Sequence, residues 1–98
     1  MNIENLENKN YSVLSDDELE NVAGGTTKYV LGDDGRSNVR TGPGLDYDSI
    51  GILYDGDTAE YTGKYSIDDR GVRWYQIHWH GRKAWVSSRY TSVIRMAD

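Results

Sequence analysis

Two histidines stand at alternate positions of an aromatic-rich stretch, Trp74-Tyr75-Gln76-Ile77-His78-Trp79-His80. On an extended chain that spacing puts both imidazoles on one face, which supplies half of a zinc shell. No local carboxylate completes it. Cysteine is absent from the 98 residues, which removes thiolate ligands, thiol nucleophiles and disulfides together. Neither a metal nor another cofactor is expected. Asp68-Asp69 has the paired carboxylates of general acid and base chemistry, but Arg70-Gly71 follows, and the four residues read as the solvated tip of a hairpin. Ser87-Ser88 shows no spacing to a histidine and an acid that would mark an activated hydroxyl. The chain is therefore expected not to be an enzyme.

What remains for chemistry is flat amphipathic surface. Phenylalanine is absent, while eight tyrosines and three tryptophans supply the large rings. The elements that must position them read as short strands. Residues 29–31, 37–40, 50–54, 58–65, 72–80 and 83–87 are rich in β-branched and aromatic residues. Asp33-Asp34-Gly35, Gly42-Pro43-Gly44, Asp55-Gly56, Asp69-Arg70-Gly71 and Gly81 punctuate them with turn chemistry. Six short strands, with too few residues for two packed sheets, predict an all-β fold built as a small barrel. Along residues 72–80 alternation puts Tyr75, Ile77 and Trp79 on one face and Trp74, Gln76, His78 and His80 on the other, which is then partly exposed.

The first quarter of the chain is of a different kind. Residues 1–25 carry Glu4, Glu7, Asp16, Asp17, Glu18 and Glu20 against Lys9 alone, so the whole net charge of −5 lies there and the remainder is balanced. A balanced body without a basic stripe argues against nucleic acid. No run approaches the ~20 apolar residues that span a bilayer, so no membrane insertion is expected. The acidic head lacks the basic start and apolar block of an ordinary secretory signal. Within it, Ser15-Asp16-Asp17-Glu18 has the spacing of a capping box, and a helix is expected from Ser15 to about Ala23, stopped by Gly24. Such a helix has about two turns, too few to be stable alone. Its apolar residues Leu14, Leu19 and Val22 form a narrow stripe that needs a partner, either the chain's own barrel or another protein.

Asn38-Val39-Arg40-Thr41-Gly42-Pro43-Gly44, Tyr47, Ile50-Gly51, Leu53, Gly56, Trp74-Tyr75-Gln76-Ile77, Gly81-Arg82, Trp85-Val86-Ser87-Ser88 and Tyr90 occur in an order that resembles the bacterial SH3 (SH3b) family. The resemblance spans nearly all of residues 28–94 and implies an SH3-like barrel over residues 26–98. It also implies a non-catalytic module that holds secreted proteins on peptidoglycan, or that binds a peptide ligand. By family position Tyr47, Trp74, Trp85 and Tyr90 are the implied ligand-binding aromatics. Arg40 is open between pairing with a ligand carboxylate and bonding to the neighbouring turn. A monomer is expected.

The head resembles a second family. Leu14-Ser15, Glu18-Leu19, Val22 and Gly24-Gly25 stand at the spacing of the double-glycine leaders of exported bacteriocin-type peptides. That resemblance implies a leader over residues 1–25, disordered or transiently helical, recognised through Leu14, Leu19 and Val22. It implies cleavage after Gly25 by a peptidase-containing ABC exporter, and a secreted, cell-wall-associated product. Two other functions fit the same residues: a folded bacteriocin-like effector acting at the wall of competitors, and an intracellular interaction or immunity module.

Overall fold

The computed structural model describes residues 11–15, 18–19 and 28–96. Among these are eight strands: β1 Tyr11–Val13, β2 Lys28–Gly32, β3 Arg36–Arg40, β4 Ser49–Tyr54, β5 Thr58–Ile67, β6 Arg73–Trp79, β7 Arg82–Ser87 and β8 Thr91–Met96. They form one curled antiparallel sheet in the order β1-β8-β2-β5-β6-β7-β3-β4. The fold is all-β as expected, and where a small SH3-like barrel was expected the sheet is a curled half-barrel consistent with that fold. The six strands read from composition are present, and two more join them.

The turns explain why the chain reverses where it does. His80 and Gly81 both have positive φ, 49° and 83°, which is the two-residue geometry whose twist suits a tight hairpin between β6 and β7. The sheet curls partly because β5 carries extra residues: Tyr61 faces Ile77 and Tyr65 faces Tyr75, so four steps on β5 answer two on β6. Gly63, at φ 96°, sits in that bulge, and the Thr62 hydroxyl bonds the Gln76 side chain across it at 2.9 Å.

The concave side is filled by Val30, Val39, Leu53, Ala59, Tyr61, Tyr75, Ile77, Ala84, Val86 and Val93, all buried. Tyr61 and Tyr75 meet edge to face at 5.8 Å. Burial, then the neighbouring Tyr75 and Tyr65 hydroxyls, push the Tyr61 phenol up to about 12, so it stays neutral.

Leu14 and Leu19 belong to this same interior, 7% and 6% exposed. β1 pairs with β8 from Tyr11 opposite Met96 to Val13 opposite Ile94, and the Leu14 N–H continues the ladder to the Val93 carbonyl at 2.9 Å. The capping box is formed: the Ser15 N–H donates to Glu18 Oε1 at 2.9 Å, and the Glu18 N–H donates to Ser15 Oγ at 3.3 Å. The Leu19 N–H reaches the Ser15 carbonyl at 3.0 Å, one helical turn on. Where a disordered or transiently helical segment was expected, residues 11–15 and 18–19 are thus docked on the chain's own barrel. The physical reason is that Leu14 and Leu19 find apolar partners in the interior of the curled sheet. Val22, Gly24 and Gly25 lie outside the described residues.

Candidate ligand-binding site

On the face of β6 opposite the filled interior, the turns over residues 68–72 and 88–90 close above the sheet. Between them and β3 lies a cavity of about 200 Å³. Trp74 and Tyr90 both line it. Their exposures differ sharply, 2% against 42%. The expectation that Trp74 is partly exposed is corrected: strand alternation places its ring away from the interior, but the 68–72 turn folds over it.

Asp68 is what holds that turn down. Its Oδ2 accepts the Trp74 indole N–H at 2.9 Å, and its Oδ1 accepts the backbone N–H groups of Arg70 and Val72 at 2.9 and 3.0 Å. These bonds, led by the indole, hold the Asp68 carboxyl below its ordinary range despite partial burial. Asp68 is therefore an ionised structural anchor rather than a solvated tip, while Asp69 beside it is exposed. Three of its roughly four lone-pair positions are thus occupied within the turn.

Arg40 organises the second wall. Its Nη1 donates to the carbonyls of Leu45 and Tyr47 at 3.3 and 2.9 Å, so the bond to the turn, one of its two open roles, is made. Tyr47 then lies across the Gly-Pro-Gly segment. A Cβ at residue 42 would overlap its ring, which is the local reason for glycine there. Tyr47 is 47% exposed and lines a neighbouring hollow with Pro43, Leu45 and Asp69 rather than the cavity itself. The two hollows share Leu45, Asp68 and Arg70, so Tyr47 flanks the same surface.

Trp85 stands apart. Its ring is 8% exposed, on a strand position opposite Gln76 and Arg40, and it lines neither hollow. The histidines also separate. β6 ends at Trp79, and His80 turns away into the hairpin with its ring edge-on to Trp79 at 4.8 Å. The expected shared strand face is not formed, and among the described residues no three histidine, cysteine or carboxylate side chains come together.

The cavity also gathers residues that local patterning does not single out. Arg36, Arg70 and Arg89 join Arg40 along its lining, and Ser37 sits among them, 2% exposed. These arginines come from β3 and from two separate turns, so the signal is a product of topology. In sequence they are ordinary charged residues amid acids.

The family profile described as Bacterial SH3 domain matches residues 35–92, a span that contains every residue lining the cavity. The chain is also similar, at 29% identity over 80 residues, to the Bacillus subtilis (strain 168) protein named "Putative N-acetylmuramoyl-L-alanine amidase YrvJ". That match takes in 82% of this chain and 14% of the other, so the chain spans a small part of that relative's length. No solved structure matches.

Proposed function

Because the chain belongs to the bacterial SH3 domain family, we propose that it is a non-catalytic module that binds peptidoglycan through the Trp74 and Tyr90 cavity and the Tyr47 surface beside it. The observation that carries this reading is the coincidence of the family span with an aromatic-floored cavity, supported by likeness to a protein named for a wall amidase. The half-exposed Tyr90 ring at the rim offers a flat face to a peptide backbone or a sugar, while the buried Trp74 ring closes the floor with its indole N–H satisfied by Asp68. Sedimentation of the protein with purified Gram-positive peptidoglycan tests the reading. Tyr90→Ala is expected to weaken retention by about 1–3 kcal/mol, the usual cost of losing an interfacial aromatic anchor. Failure of the folded wild type to bind any peptidoglycan chemotype ends it.

The proposal extends to the N-terminus. Residues 1–25 act as a double-glycine leader cleaved after Gly25 by an exporter peptidase that recognises Leu14, Leu19 and Val22, and the product is secreted to the wall. In the precursor Leu14 and Leu19 are buried against the barrel, so the peptidase must draw the segment off before it can engage. The same burial favours a second reading, in which the segment stays docked as part of an intracellular interaction module. Intact mass of the culture supernatant separates the two. A species beginning at Thr26 supports export with cleavage, and a protein found only inside cells with residues 1–25 retained supports the other.

A further inference from the structure

The most informative feature of the cavity is its charge. Arg36, Arg40, Arg70 and Arg89 line it against the single carboxylate of Asp68, and that carboxylate is already engaged by the Trp74 indole and two backbone N–H groups. Two hydrogen-bonding atoms on the same wall, the Ser37 hydroxyl and Arg40 Nε, are buried without a partner. A buried polar atom left unpaired costs free energy unless a ligand supplies the missing bond. A neutral ligand could accept hydrogen bonds from the guanidinium groups but would leave the excess positive charge of the lining unbalanced.

We propose that this cavity is an anion subsite for a peptide carboxylate. The assignment rests on the wall-binding reading and deepens it: in peptidoglycan whose muramic acid carboxyls are amide-linked to stem peptides, the free carboxylates are those of the stem peptides, and the substituted sugars carry none. Size agrees. A cavity of about 200 Å³ lies below the range of about 300–1,000 Å³ typical of drug-sized ligands, so it suits one terminal residue rather than a disaccharide. The lining agrees as well. Leu45 and Tyr90, 51% and 42% exposed, border the charged interior with apolar surface for a small side chain, while guanidinium forks match the two oxygens of a carboxylate. Arg40 is held in place by the Leu45 and Tyr47 carbonyls, so part of the subsite is formed before the ligand arrives.

The test uses the full chain and two readouts. Acetyl-D-alanyl-D-alanine, its C-terminal amide and inorganic phosphate are titrated separately while the backbone and indole resonances of Ser37, Trp74, Arg89 and Tyr90 are followed. In parallel, wild type, Arg89→Gln and Arg70→Gln are sedimented with peptidoglycan at low and moderate salt. The free acid is expected to shift these resonances and to bind about tenfold or more tightly than the amide, as charged hydrogen bonds require. Either arginine variant should reduce retention by about threefold to tenfold and flatten its salt dependence. If wild type sediments with peptidoglycan while acid and amide bind alike and both variants are retained like wild type, the subsite is wrong and wall binding stands. If the acid is preferred but no peptidoglycan is bound, the subsite stands and the wall-binding reading fails. Stronger shifts with phosphate than with the acid dipeptide overturn the assignment to peptide.

Discussion

The docked residues 11–15 and 18–19 and the cavity at the opposite face of β6 are built on contrary plans. The segment contributes Leu14 and Leu19 to the interior through a strand pairing and a local cap, and Glu18 of that cap remains exposed. The cavity contributes little apolar burial beyond Trp74 and instead collects charge from β3 and two turns. One region converts area into stability, and the other holds charged groups ready for a ligand. Substitutions in the two should therefore separate cleanly in what they change.

The largest effect belongs to the segment. Leu14→Ala or Leu19→Ala is expected to cost about 2–4 kcal/mol in denaturant unfolding, as for other buried leucines. A free leader would give less than about 0.5 kcal/mol at either position, and such a result would dissolve the contrast. Next comes the one hydrogen bond that joins packing to the cavity. Trp74→Phe keeps an aromatic floor but leaves Asp68 Oδ2 without its indole partner, and should cost about 1–3 kcal/mol of stability.

Smaller again is the cap: Ser15→Ala should cost about 1 kcal/mol, measured the same way, because Ser15 Oγ no longer accepts the Glu18 N–H. An acid titration sharpens the other side. The Asp68 carboxyl should titrate below its ordinary value of 3.8, seen in the Trp74 indole resonance. Since its folded value is lowered, the stabilisation from Asp68 is complete above the ordinary value and is lost as pH falls through the lowered one. Asp68→Asn should remove that acid-side component. The smallest change in stability is expected at Arg89→Gln, within about 0.5 kcal/mol, even as peptidoglycan retention drops.

How much of this was legible followed the range of the interactions. The cap at Ser15 and Glu18 lies three residues apart, so the sequence alone exposes it, and turn chemistry located six strands. β8 carries three β-branched residues, Thr91, Val93 and Ile94, but no glycine or proline marks it off from Tyr90, and β1 has three residues, too few for an alternating pattern. Of the aromatics, Trp74 and Tyr90 meet at the cavity, yet period-two alternation could not show that a turn would bury one of them. Trp85 has the same side-chain chemistry and ends up packed away from both hollows. Arg40 stood out by its family motif, whereas Arg36, Arg70 and Arg89 were the least legible, because they join it only when β3 and the two turns are brought together.

The pairing of β1 with β8 has a consequence for the cleaved product. Processing after Gly25 would take Tyr11–Val13 away from the peptide groups of residues 94–96, leaving that border of the sheet with its main-chain donors and acceptors unpaired. A bare border of this kind is a template for strand addition by another chain. Under the proposed processing, β1 would therefore shield that border until cleavage exposes it.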